Sequence, residues 1–296
     1  MAKQTISPTL DRARFEVLPL GGSEEEAARL PGPVRLTVTC SPKHGPDRTV
    51  EVAGRLRELG HTVTVHVAAR MVRDQAHLDS LLARMATAGI DDIFVIGGDA
   101  DPAQGEFASA VELVPVIAEH PQRPRTIGIA GYPEGHPKIS QQALDEALRE
   151  KSRYSDYVTT QMCFDADAMR RWVRSHREQG LTLPVLIGMP GKADRRRLVE
   201  MSVRIGVGPS LAFLRKQRGL LSLLSRRSTA DRVYDAIAPS LDDPELNLAG
   251  FHFFTFNQLV DTWQWHERKQ SASSGGDRRR DPATAKGYVQ PEERTT

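Results

Sequence analysis

The feature that most narrows what this chain can become is a rhythm. Short β-branched runs alternate with longer stretches whose apolar positions recur every three or four residues. The short runs fall at 14–17, 34–39, 62–67, 92–96, 126–130, 157–160, 184–187 and 251–255, and the longer stretches at 47–58, 75–88, 141–153, 166–178 and 193–201. Strands buried on both faces read as continuous hydrophobic runs, and a helix between two of them requires parallel pairing with a right-handed crossover. Eight such units in about 270 residues predict an α/β fold, a closed (β/α)8 TIM barrel, in preference to an open doubly wound sheet. No GxGxxG follows the first run, which weighs against a dinucleotide fold.

Composition sets the remaining bounds. Of 296 residues, 39% are apolar and 26% charged, enough to bury a core without disulfides or a structural metal. The only two cysteines, Cys40 and Cys163, form no CxxC pair, which fits a reducing compartment. A net charge of +2 gives no ground for nucleic-acid binding. No stretch approaches the about 18 apolar residues of a membrane span, and the start has no signal-peptide pattern, so a cytoplasmic protein is expected. From Gln270 to Thr296 the chain is Gly, Pro, Ser and charge with little to bury. The expected organisation is therefore a single catalytic barrel over 1–269 and a flexible tail over 270–296.

A barrel's chemistry gathers at the C-terminal ends of its strands. The predicted ends carry Glu16, Thr39, His66 and Asp99, then Tyr132, Glu134 and His136, then Gln161, and finally Phe253 and Thr255. Polar residues from most strands thus converge on one mouth.

Six segments carry a resemblance: FEVLP at 15–19, DRT at 47–49, GGD at 97–99, AGYPEGHP at 130–137, TQMCFD at 160–165 and FHFFTFN at 251–257. In this order and at barrel spacing the chain resembles the methylenetetrahydrofolate reductase family from about residue 14 to 265. The resemblance implies a (β/α)8 barrel that reduces 5,10-methylenetetrahydrofolate to 5-methyltetrahydrofolate with NADH or NADPH, usually through FAD.

The one-carbon unit bridges two folate nitrogens, and hydride adds only after that ring opens to an iminium, which needs an acid. Glu16 is the expected acid, since a carboxyl at the mouth of an apolar barrel can hold a proton near neutrality. The resemblance places it at the family's proton-donating glutamate; a surface salt bridge is the alternative reading. Asp99 follows Gly97 and Gly98, whose turn lets backbone approach a bound ring. The resemblance puts Asp99 beside the pterin and Gln161 on the pterin's hydrogen-bonding edge; a helix cap is the plainer reading of Asp99. Thr39, Phe253 and Phe213 are further candidates for substrate contact. Arg215, Lys216, Arg218, Arg226 and Arg227 could meet a folate glutamate tail or a pyrophosphate.

The resemblance implies contact with FAD, or shaping of its pocket, for His66, Gly98, Tyr132, His136 and Lys151. Two departures weaken a flavin site. The loop after the second run reads TVTCSPKHGPDRT in place of a Thr-aromatic-Gly stretch, and Gly97 stands where many flavin-dependent members carry arginine. In both respects the chain is similar to actinobacterial members that pass hydride directly from NADH to folate. A folate-linked methyltransferase and a catalytically silent folate-binding scaffold are the alternative functions. No HxH or HExxH spacing points to a metal, and Cys163 has no evident base to make it a nucleophile.

Overall fold

Each β-branched run has neighbours of its own kind to pair with, and closure leaves no edge among them. The structure, a computed structural model, describes residues 12–192 and 228–276. Its strands are β1 (Ala13–Val17), β2 (Arg35–Val38), β3 (Thr62–Ala68), β4 (Asp92–Ile96), β5 (Thr126–Gly131), β6 (Tyr157–Thr160), β7 (Val185–Pro190) and β8 (Leu248–Phe254). They join in chain order, all parallel, and β8 pairs back onto β1 to close the barrel. The expected TIM barrel is therefore the fold, in a single domain.

The helices α1 (Ser23–Ala28), α2 (Gly45–Glu58), α3 (Gln75–Thr87), α4 (Ala110–Ala118), α5 (Gln141–Ser152), α6 (Ala166–Glu178), α7 (Thr229–Ile237) and α8 (Leu259–Gly276) lie around it. Several start on a side-chain cap. Asp74 accepts from the His77 N–H, Ser140 from Ala143, Asp165 from Asp167 and Ala168, and Ser228 and Asp231 form a capping box. Each cap satisfies an N–H that a helix start leaves orphaned.

The helices α1, α4, α7 and α8 escape a periodicity reading. One is a turn and a half long, and α4 holds Pro115 in its interior. The stretch expected at 193–201 lies outside the described residues. The expected domain boundary after residue 269 falls inside α8, and residues 277–296 lie outside the described residues.

Register sorts the strand side chains into two sets. Phe15, Leu36, Val65, Ile93, Ile127, Val158, Ile187, Phe251 and Phe253 are buried in the main apolar core between strands and helices. Each such side chain contributes about 1.5–3 kcal/mol by burial. The alternate positions point into the barrel, and the lowest layer there is polar. Arg14 Nη1 donates to Asp92 Oδ2 at 2.8 Å, to the Tyr157 hydroxyl at 2.7 Å and to Thr64 Oγ1 at 3.1 Å. Thr64 and Tyr157 in turn donate to the two Asp92 oxygens at 2.8 and 3.0 Å.

Burial alone would lower the Arg14 pKa, but its charged and hydrogen-bonded neighbours Tyr157 and Asp92 raise it instead. Burial pushes the Tyr157 phenol up, so it stays neutral. Gly128 makes room for that ring, since a Cβ there would lie 2.2 Å from Tyr157 Cζ. This layer closes the N-terminal end of the barrel, and Phe94, Leu186 and Ala130 join Tyr157 in an apolar group above it.

Candidate functional site

Above the floor, Glu16 projects into the barrel from β1, level with Thr37 on β2 and Phe254 on β8. Its Oε2 lies 3.2 Å from His252 Nε2 and 4.0 Å from His66 Nε2. Burial, and then the nearby His252, push the His66 pKa down to about 3, so that imidazole is neutral. The His66 ring packs on Phe94 at 4.9 Å, and His252 meets Phe254 edge-on at 5.1 Å.

The segment after β8 locks the Glu16 backbone. The Thr255 hydroxyl donates to the Glu16 carbonyl. Asn257 accepts from the Leu18 N–H at 2.8 Å and donates to its carbonyl at 3.3 Å. Asn257 and Phe256 take left-handed φ of 58° and 53°, a turn that brings the Asn257 amide back over β1. Glu16 is thus held from both its side chain and its backbone.

The mouth is built by the turns after β4, β5 and β6. Gly98 has φ +84°, and a Cβ there would come 2.9 Å from the Ala68 Cβ. Only glycine suits that turn, which leaves Asp99 exposed at the rim. Tyr132 is raised by burial and then by Asp99, whereas burial lowers His136 against the opposing pull of Asp99. The two rings meet at 5.6 Å, edge to face. Gln161 is set by its own N–H to the Gly131 carbonyl at 2.7 Å, while its Oε1 accepts the Met162 N–H at 2.8 Å. Its carboxamide NH2 remains the group it can offer a ligand. Thr39 stays tied to β1 through its N–H to the Val17 carbonyl at 3.0 Å.

The structure therefore brings Asp99, Gly98, Tyr132 and His136 together at the rim, with Glu16 beneath and Gln161 and Thr39 at neighbouring strand ends. Three expectations change. Phe253 is fully buried on the outer face of β8, stacked on Phe251, Phe15 and His266, so it cannot touch a ligand in the barrel. Phe254 takes the inward position instead. His66 is not at a strand end, because β3 continues to Ala68; it lies deeper, beside Glu16.

Lys151 occupies the last turn of α5, just before β6 begins, and burial lowers its pKa to about 8. A helix that runs back antiparallel to the strands ends at the barrel's other end, so the structure does not gather Lys151 with the rim residues. Phe213 and the basic residues from Arg215 to Arg227 lie outside the described residues. Sequence reasoning passed over Thr37, Ser41 and Phe254; the alternation in FHFF was a signal for Phe254, once its parity is known.

Among the described residues no cluster of His, Cys, Asp or Glu could hold a metal ion, and no helix is long and apolar enough to cross a membrane. Burial raises Cys163, and burial raises Cys40 to about 11, so both thiols are poor nucleophiles.

A closed parallel barrel with the half-buried Glu16 under a polar rim at its C-terminal face defines a TIM-barrel protein. The chain belongs to the methylenetetrahydrofolate reductase family, whose model matches residues 27–201. It is 31% identical over 122 residues to methylenetetrahydrofolate reductase 1 of Schizosaccharomyces pombe, covering 38% of this chain and 20% of that protein. It is 27% identical over 161 residues to a probable NADH-type methylenetetrahydrofolate reductase of Oryza sativa subsp. japonica, covering 48% of this chain and 27% of that protein. To a probable NADPH-type one of Caenorhabditis elegans it is 31% identical over 123 residues, covering 38% and 19%. The match thus spans about a fifth to a quarter of the length of these relatives.

Proposed function

We propose that this chain reduces 5,10-methylenetetrahydrofolate to 5-methyltetrahydrofolate, with hydride passing directly from NADH to the folate, as in the actinobacterial members it resembles. The observation that carries this reading is Glu16, a half-buried carboxyl group against His252 whose backbone carbonyl is held by Thr255 beneath the rim, in a chain of the reductase family. Glu16 protonates one of the two bridged nitrogens, and the five-membered ring opens to the iminium. Hydride then reduces the methylene carbon to methyl. Asp99 and Gln161 position the pterin, whose amino and oxo edge matches a carboxylate acceptor and a carboxamide donor. Thr39 and Phe254 line the same opening. A single complex holding both substrates lets orientation lower the barrier, with no reorganisation between half-reactions.

The fit to FAD is poor on this chain's own residues. A flavin would draw on His66, Tyr132, His136 and Lys151 together, yet His66 sits beside Glu16 and Lys151 lies in the last turn of α5. At Gly97, an added Cβ would meet nothing within 4 Å, so the place of the family arginine is open. These placements support the flavin-free reading, and no step here uses flavin.

The test is methylenetetrahydrofolate-dependent oxidation of NADH by protein whose spectrum shows no flavin, beside the Glu16→Gln variant. Robust turnover by the parent chain, lowered in the variant by about 10²–10⁴-fold, is the expected result for loss of a general acid. Turnover only after FAD is added would reject direct transfer, and an active Glu16→Gln would reject Glu16 as the acid.

A further inference from the structure

The barrel interior holds more polar atoms than its hydrogen bonds use. Thr37 Oγ1, Thr39 Oγ1, Ser41 Oγ and His66 Nε2 are all buried, and none makes a hydrogen bond within the described residues. Buried polar groups in folded proteins are paired with protein or with ordered water, so four orphans in one region point to water as their common partner.

Their placement is ordered. Thr37 is level with Glu16 on the neighbouring strand, facing the interior. Thr39 and Ser41 follow the end of β2 at Val38 on the segment that leads into α2, and the hydroxyl oxygens of both are buried without a partner. Val38 pairs with Val65 at the end of this ladder, and the next residue of β3, His66, has its Nε2 4.0 Å from Glu16 Oε2. Two residues of extended chain advance about 6.6 Å, a gap that one or two hydrogen-bonded waters fill. Valine or isoleucine would suit an inner barrel wall sterically, whereas β2 presents the Thr37 hydroxyl there, and Thr39 and Ser41 add two more buried hydroxyls just past its end.

The reductase reading gives such a file of hydroxyls a task. Each turnover removes one proton from Glu16 to a folate nitrogen, and none is returned by the hydride donor. With folate and nicotinamide both seated over the mouth, the direct way from bulk water to Glu16 is covered.

We propose that Thr37, Thr39 and Ser41, with His66 Nε2 at the inner end, carry a file of ordered waters that returns a proton from solvent to Glu16 after each turnover. Each hydroxyl accepts a proton on oxygen and releases its own to the next oxygen, so one solvent proton is taken up, the Glu16 carboxylate becomes the carboxyl, and no group is oxidised or reduced. His66 anchors the inner water as a neutral imidazole. Thr37 and Thr39 act on Glu16 through the waters between them; neither needs to touch folate for this role. The inference rests on the reductase reading, and its test separates the two.

An experimental structure of the whole chain, at a resolution that shows waters, is expected to place ordered waters on the Thr37 and Thr39 hydroxyls. Thr37→Val removes one hydroxyl at nearly constant volume. It is expected to lower the steady-state rate about tenfold and raise the solvent deuterium effect on kcat, while the first turnover of pre-protonated enzyme changes less than about twofold and KM for folate is unmoved. Thr37→Ser restores the steady-state rate. A chamber without waters overturns the relay alone, whatever the chain catalyses. So does a Thr37→Val enzyme with parental turnover, one whose first turnover is slowed as much as its steady state, or one that shows only a higher KM. Failure of the parent chain to oxidise NADH with folate overturns the reductase reading, and the relay falls with it.

Discussion

Replacing Asp92 by Asn tests the barrel floor, because it removes one charge and almost no volume. Asp92 accepts from Arg14, Thr64 and Tyr157, and the side chains of the Arg14–Asp92 pair are 13% and 8% exposed. An asparagine can still accept from Arg14 and Thr64 through its oxygen, so packing and most of the hydrogen bonds survive. What remains is a guanidinium enclosed by Tyr157, Thr64 and the strand walls with no counter-charge. Breaking a buried ion pair from one side typically costs about 3–5 kcal/mol, because the surviving charge is left desolvated. For a domain of this size each kcal/mol lowers Tm by about 2–4 °C, so Asp92→Asn is expected to lower it by about 6–20 °C. Urea unfolding gives the free energy directly, and a double variant, Arg14→Met with Asp92→Leu, supplies the control. Removing both charges should recover most of the loss, since apolar replacement of a buried pair is often close to neutral. A loss below about 1 kcal/mol for Asp92→Asn, or a double variant worse than the single one, would refute the account of the floor as a paired, water-excluded layer.

Two further outcomes follow from the same interior. Burial lowers His66 to about 3 and His266 to about 4, below the ordinary value of 6.5 for each. A base depressed on folding takes its proton in the unfolded state first, so its stability is full above about pH 6.5 and drains as the pH falls toward the folded value. Each histidine contributes a slope of up to about 1.4 kcal/mol per pH unit between pH 6.5 and 4. His66→Gln should remove about half of their joint slope in urea midpoints measured across that window; parallel curves for parent and variant would contradict it. At Gly188 an added Cβ would stand 2.1 Å from the Thr160 carbonyl oxygen, and its N–H already donates to Thr160 Oγ1 at 2.8 Å. Gly188→Ala must push β6 and β7 apart and should cost about 1–3 kcal/mol or more, read as a fall in Tm, with an unshifted Tm showing that the strands have slack.

The strand rhythm was legible along the chain because a strand buried on both faces has to be apolar throughout, whatever its neighbours are. Both β4 and β6 begin and end where periodicity places them, and α6 does as well. Where backbone irregularity enters, the reading slips. Strand β8 starts three residues before the expected 251, across Asn247 at φ 45° and Gly250 at φ 141°, residues that look like turn punctuation in a linear string. Asp99, Gln161 and the glycine turn at Gly98 were visible as polar residues or turn formers directly after apolar runs, and Glu16 as the one acid within the first run. Phe253 was misplaced for a specific reason: in a run of four aromatic or polar residues either alternate set can face inward, and only pairing with β1 and β7 selects His252 and Phe254.

The sequence by itself determined the fold class, the order of the strands and the supply of polar groups at their ends, since these depend on local pattern and on the handedness of a strand–helix–strand unit. Tertiary structure alone decided which groups meet. Glu16 and His252 are 236 residues apart in the chain and 3.2 Å apart in space, and their contact exists because β8 closes onto β1. Closure sets the parity of every strand at once, so it turns Arg14, Asp92 and Tyr157 into a floor, sets the Thr37 hydroxyl level with Glu16, and sends Phe253 to the helices. No local stretch contains that information, because it resides in a register shared by all eight strands.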